Sequence, residues 1–233
     1  MKPLPPRPDL RLEFIGDSIT CGYGNEAGGP EEGYSPRTEN NYLSYSALTA
    51  RALGAEYICL AAAGRGVHQN FDGSTSGTIP ELYTRVLPGD PSLLWDFKEL
   101  PPRVVIINFG TNDFSRRIPD KSAFVNSYRK LIATVRKNYP EADIFCVVGP
   151  MLNDEWPEGA KALTTIRSYL NEMIEELKGE GEEKIHYLEF VPQQQSEGIG
   201  ADWHPGLRIH QRMADQLTEA ISGMIRRSVN SNQ

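Results

Sequence analysis

Four short segments of this 233-residue chain carry groups suited to attack on a carbonyl carbon. The first is Gly16-Asp17-Ser18-Ile19-Thr20, directly after the apolar run Leu12-Glu13-Phe14-Ile15. A serine on a sharp turn past a buried strand exposes its hydroxyl and can point its own N–H at a bound carbonyl. Taken alone, the stretch reads equally well as a helix N-cap. The second is Ala61-Ala62-Ala63-Gly64-Arg65-Gly66, where Gly64 lets backbone approach a ligand and donate without a side chain in the way. Alone it is a turn. The third is Gly110-Thr111-Asn112-Asp113, whose Asn112 amide can donate to a developing oxyanion; alone it is an Asn-Asp turn. The fourth is Asp202-Trp203-His204-Pro205, where His204 can act as a base and Asp202, two residues earlier, as its orienting acid. A lone histidine is usually a surface residue, and His68, His186 and His210 are read that way.

The elements that must position these groups alternate. Short β-rich runs at Leu12–Ile15, Glu56–Ala61, Val104–Phe109, Asp143–Val148 and Lys184–Phe190 read as five strands. Three of them are apolar almost throughout, as strands covered on both faces must be. Between them lie helix-period segments. One spans Tyr42 to Leu53 and ends at Gly54. A second, with Asp120 as N-cap, puts Phe124, Tyr128, Leu131, Ile132 and Val135 on one face and stops at Pro140. A third carries Leu163, Ile166, Leu170, Met173, Ile174 and Leu177; the last carries Met213, Leu217, Ile221 and Met224. Alternating strand and helix gives an α/β fold, a five-stranded parallel sheet with helices on both faces. The expected division is a Pro-rich tail over 1–10, one domain over 11–228 and a short tail over 229–233. Gly22 to Asn40 and Val67 to Asp96 break the rhythm and read as long loops after strand C-termini, where open α/β sheets place their sites. Ser18, Gly64, Asn112 and His204 all follow strand C-termini, so one end of the sheet gathers a nucleophile, a base and three oxyanion donors. That joint placement outweighs the ordinary reading of each segment.

Composition narrows the partners. The net charge of −7 argues against nucleic acid or an anionic membrane as partner. No long apolar run suggests a membrane span, and Met1 to Pro6 lacks the apolar stretch of a signal peptide. Three cysteines without a Cys-x-x-Cys pair give no zinc motif and no disulfide framework; Cys59 and Cys146 read as small core residues and Cys21 as a poor rival nucleophile. No Gly-x-Gly-x-x-Gly follows the first strand. No metal or cofactor is expected. Asp17 and Asp113 read as loop-bracing acids. Trp203, Tyr23, Arg65 and Trp156 are the candidate substrate-binding residues, with Phe114 a further aromatic; packing of loops on the domain is the competing reading for Trp156 and Phe114.

The four blocks together resemble those of the GDSL/SGNH hydrolases, whose name spells the residues found here as Ser18, Gly64, Asn112 and His204. The resemblance runs from Arg11 to the last helix. Within that group, Phe14-Ile15-Gly16-Asp17-Ser18-Ile19-Thr20-Cys21-Gly22-Tyr23-Gly24 and Asp202-Trp203-His204-Pro205 resemble carbohydrate esterase family two. That resemblance implies a three-layer flavodoxin-like fold and an acetylesterase of xylan- or glucomannan-type polysaccharides working through an acyl-enzyme. It also implies a β-sandwich domain ahead of the catalytic one; these residues hold none, and the Pro-rich start reads as its junction. Many SGNH enzymes place the aspartate three residues before the histidine, where Ala201 stands here. The spacing of Asp202 suits family two, in which a backbone carbonyl can instead orient the histidine. Two rival functions stand beside this one. One is a general short-chain carboxylester hydrolase or thioesterase without sugar preference. The other is a carbohydrate-binding module on an esterase scaffold.

Overall fold

The computed structural model describes residues 8–230. The tail expected over 1–10 lies mostly outside the described residues, as do 231–233. The parallel sheet is built from β1 (Arg11–Gly16), β2 (Glu56–Ala61), β5 (Val104–Asn108), β6 (Asp143–Val148) and β7 (Ile185–Glu189), in the order β2-β1-β5-β6-β7. β1 and β5 run side by side in the middle, with Gly16 level with Asn108 and, on the other flank, with Ala61. All five expected strands are present, and the sheet carries helices on both faces.

Each face of the sheet has its own apolar layer. On one, Ile15, Val105, Ile107, Ile144 and Cys146 pack against α4 (Lys121–Asn138) and α5 (Ala162–Gly179), through side chains such as Tyr128, Leu131, Ile166 and Leu170. On the other, Leu12, Phe14, Val104, Ile106 and Val147 meet α2 (Tyr45–Ala52) and α6 (Leu207–Asn230), through Tyr45, Ile209, Met213 and Leu217. Alternate residues of each strand thus serve opposite layers, as the pleat requires. Asp120 caps α4 as expected, accepting from the Ala123 N–H at 2.9 Å. The first long helix is shorter than its periodicity suggested: Asn41–Leu43 is a single 3-10 turn, and α2 starts at Tyr45. α6 runs to Asn230, past the expected domain end.

Two sequence-based expectations change. The stretch from Val67 to Asp96 is not an unbroken loop. It contains α3 (Ile79–Leu82), opened by Pro80 in its first turn, and a hairpin of β3 (Arg85–Leu87) and β4 (Asp90–Leu94) joined by Pro88-Gly89. Proline fixes its own φ and glycine frees the next residue, which suits a tight reversal. Cys59 is solvent-exposed rather than core, because β2 is an edge strand covered less well than its neighbours. Cys146, on the interior β6, is buried as expected.

Candidate active site

The C-terminal ends of β1, β2 and β5 sit side by side, and each hands the chain to a turn that carries one candidate group. β1 ends at Gly16, whose missing side chain leaves room for Thr20; a Cβ there would lie 2.0 Å from the Thr20 Oγ1. That contact lets the chain fold at once into α1 (Ser18–Cys21), a single helical turn capped by the Asp17 side chain on the Ile19 N–H at 3.0 Å. Ser18 is the first residue of this turn, so its own N–H has no acceptor within the helix. The helix-cap reading of the segment therefore holds too, but the cap is Asp17 and Ser18 stands one residue on.

After β2, Gly64 adopts φ 74°, and its N–H finds no backbone acceptor among the described residues. The chain then wraps around a buried carboxylate. Asp113 accepts from the N–H groups of Val67 (3.1 Å), His68 (2.8 Å) and Gln69 (2.9 Å). Gly66 permits that close wrap, since a Cβ there would lie 2.7 Å from the Asp113 Oδ2. After β5, the Asn112 amide nitrogen donates to the Arg65 carbonyl at 2.8 Å and, more distantly, to the Asp17 Oδ2 at 3.2 Å. Asp17 and Asp113 thus brace the turns, as the sequence suggested. Burial pushes the Asp17 carboxyl up to about 7, with the Asp113 charge adding to it.

His204 reaches this cluster from the loop after β7. Its Nε2 lies 2.9 Å from the Ser18 Oγ. Its Nδ1 lies 3.1 Å from the Ala201 carbonyl and 3.2 Å from the Asp202 carbonyl. Carbonyl oxygens only accept, so Nδ1 carries the hydrogen and the Nε2 lone pair is left to face Ser18. Burial lowers the His204 pKa, while the two carbonyls and the charges of Asp202 and Glu39 act in the opposite direction.

The expected contact between the Asp202 carboxylate and His204 is absent. Asp202 has φ 47° and ψ 41°, the left-handed region, and Trp203 follows with φ 65°. That backbone turns the carboxylate to the Tyr23 hydroxyl, which donates to it at 2.7 Å. The backbone carbonyl of the same residue takes the place on Nδ1.

A cleft of about 930 Å³ opens over Ser18, Gly64, Asn112 and His204. Trp203, Tyr23 and Trp156 line it, as does Phe71, which the sequence reading passed over although polar neighbours flank it in a loop after β2. Phe71, Trp156 and Trp203 are exposed. Arg65 does not line the cleft; its guanidinium lies beside Gly77, and only its carbonyl serves the site. Phe114 is among the residues bordering the cleft, but it is fully buried and stands edge-on to Phe124, so its side chain is spent on packing. Cys21 is half-buried with its thiol pushed up to about 12, chiefly by burial, which leaves it a poor nucleophile. His210 is the one supposed surface histidine that is fully buried: its Nδ1 accepts from the Tyr45 N–H at 3.0 Å, and burial holds its pKa at about 3.

Residues 14–212 match the model of the GDSL-like lipase/acylhydrolase family. This chain belongs to that family. It is 44% identical over 221 residues to the cellulase/esterase CelE of Acetivibrio thermocellus, covering 94% of this chain and 26% of that protein. It is 32% identical over 222 residues to an acetylxylan esterase/glucomannan deacetylase of Cellvibrio japonicus, covering 94% of this chain and 58% of the relative. The chain therefore spans about a quarter of one and under two thirds of the other. Among solved structures it superposes on a family two carbohydrate esterase from Clostridium thermocellum in complex with cellohexaose. The TM-score is 0.91 and the identity 43%, covering 96% of this chain and 67% of that one.

Proposed function

We propose that this chain is a serine esterase that removes acetyl groups from xylan- or mannan-type polysaccharides. The observation that carries the reading is the 2.9 Å approach of His204 Nε2 to Ser18 Oγ at the floor of the cleft. As the Ser18 oxygen bonds to the ester carbonyl carbon, its proton moves to His204 Nε2 and the carbonyl electron pair moves onto oxygen. The Ser18 and Gly64 N–H groups are free to receive that oxyanion. The Asn112 amide nitrogen, held by the Arg65 carbonyl and at 3.2 Å by Asp17, joins them when rotation of the whole planar amide exchanges the longer bond for one to the oxyanion. Collapse of the tetrahedral species expels the sugar alkoxide, which takes the proton from His204. Water then releases acetate, with His204 again as base. Ser18 with His204 forms a dyad, with the Ala201 and Asp202 carbonyls holding the imidazole.

The sugar preference rests on the cleft walls and on the relatives. Exposed Phe71, Trp156 and Trp203 offer flat apolar faces on which sugar rings stack. Gln193, on the same lining, holds Trp203 in place, its Nε2 donating to the Trp203 carbonyl at 2.7 Å. The relatives named above are a cellulase/esterase, an acetylxylan esterase/glucomannan deacetylase and a carbohydrate esterase in complex with cellohexaose. The test compares acetate release from acetylated xylo- and manno-oligosaccharides with turnover of a simple aryl acetate. Faster deacetylation of the sugars, abolished in Ser18→Ala, is the expected result. Turnover of the aryl acetate alone overturns the sugar reading and leaves a general short-chain esterase.

A further inference from the structure

Resting on the Ser18–His204 reading above, we propose that Tyr23 is a positioning residue that does for His204 what a triad carboxylate does elsewhere. Its ring lies on the imidazole face and its hydroxyl is tethered to the carboxylate that has turned away.

Five observations build this. The Tyr23 and His204 rings are stacked, with centroids 4.2 Å apart and planes 30° apart. The Tyr23 hydroxyl donates to Asp202 Oδ2 at 2.7 Å, so the ring cannot swing away without breaking a charge-assisted bond. The Tyr34 ring packs against the Tyr23 ring, tilted by 32° with centroids 4.9 Å apart, and its own hydroxyl donates to Glu39 at 2.8 Å. The loop carrying Tyr23 is sewn to the loop carrying His204: the Ala201 N–H donates to the Gly24 carbonyl at 3.0 Å and the Asp202 N–H to the Pro30 carbonyl at 3.1 Å. Tyr23 itself starts at the nucleophile, its N–H bonding the Ser18 carbonyl at 3.0 Å. One residue therefore ties the nucleophile's turn, the base and the displaced acid together.

The chemistry follows from where charge appears. His204 is neutral at rest and becomes an imidazolium when it takes the Ser18 proton. Both carbonyls on Nδ1 accept from that cation, and so does the electron-rich face of the Tyr23 ring. A hydroxyl donating to a carboxylate makes its ring a better partner for a cation. The Asp202 charge thus reaches the imidazolium through a ring instead of through a direct hydrogen bond. The titratable groups that act on His204 are Asp202, Glu39, Tyr23 and buried His210; Tyr34 lies against Tyr23. Burial and the Asp202 carboxylate both raise the Tyr23 pKa, so the phenol stays neutral throughout the cycle.

The experiment measures kcat, KM and the pH profile of kcat/KM on an aryl acetate, which keeps the sugar question apart. The variants are Tyr23→Leu, Tyr23→Phe, Asp202→Asn, the Tyr23→Phe/Asp202→Asn pair, and Ser18→Ala as control. Tyr23→Leu is expected to lower kcat by about tenfold or more, with KM changed less. Tyr23→Phe, which keeps the ring and loses the tether, recovers most of that loss. Asp202→Asn falls by a similar few-fold factor and lowers the pH of the acid limb, and the double variant is no worse than either single. A roughly ten-thousand-fold loss in Asp202→Asn, the scale expected of a direct acid–base contact, with Tyr23→Phe unaffected, overturns the proposal. So do additive effects in the double variant, or a Tyr23→Leu enzyme with wild-type kcat. Wild-type turnover in Ser18→Ala instead overturns the underlying dyad, whatever the Tyr23 variants do.

Discussion

At the scale of single residues, the site depends on groups that never touch a substrate. Asp113 is fully buried and accepts three backbone N–H groups from the turn that presents Gly64. Asp113→Ala leaves those donors without acceptors in the interior. We expect it to lower stability by about 2–4 kcal/mol in urea unfolding and to lower kcat as Gly64 shifts. Unchanged stability would mean that the turn holds itself. Ser18, Gly64, Asn112 and His204 were legible because each follows a strand end, and the structure brings all four to one cleft. The orientation of the Asp202 carboxylate was not legible, because spacing fixes distance along the chain but not φ. A left-handed Asp202 moves its carboxylate to Tyr23 and leaves its carbonyl on the histidine.

At the scale of elements, two loops act as one part. Gly24 has φ 56°, and a Cβ there would lie 2.4 Å from the Ala201 Cβ and 3.0 Å from its backbone nitrogen. Gly24→Ala must therefore push the His204 loop outward. The expected outcome is a kcat lower by up to about 100-fold, with an unchanged circular dichroism spectrum, since a misplacement near 1 Å costs that much. Wild-type turnover would show that the two loops are positioned independently. The strands and long helices were readable from apolar periodicity, which the two layers of the sheet require. The β3–β4 hairpin was not: its exposed Val86, Leu87, Leu93 and Leu94 follow no inside–outside alternation, and only Pro88-Gly89 marks it. Sheet order was equally hidden, so the edge position of β2 and the exposure of Cys59 could not be read from an apolar run.

At the scale of the whole molecule, a carboxyl buried inside the central sheet contributes to how stability responds to pH. Glu13, in the middle of β1, is buried, and its carboxyl is pushed up to about 7, chiefly by burial; the Tyr83 hydroxyl donates to it at 3.3 Å. A carboxyl whose pKa is higher in the folded state holds its proton more tightly there than in the unfolded chain. Its stabilising contribution is complete below the unfolded value of 4.5 and is lost as pH rises through about 7. Glu13→Gln, which imitates the protonated form, is expected to flatten that loss and to exceed the wild type at about pH 8 by on the order of 3 kcal/mol in urea unfolding. Equal pH dependence in the two proteins would show that Glu13 ionises freely in the fold. His204 behaves in the opposite sense. Burial lowers its pKa, so the neutral base is available to the acid side of the usual histidine range, and activity should fall only below it.

In the proposed mechanism the acyl group passes through the Ser18 oxygen. Rapid acid quenching of the enzyme during turnover of an acetylated oligosaccharide, followed by mass spectrometry of the Ser18 peptide, tests it directly. The expected result is an acetyl ester on Ser18 in the wild type, and neither that ester nor acetate release in Ser18→Ala. Acetate release at the wild-type rate from Ser18→Ala would contradict it.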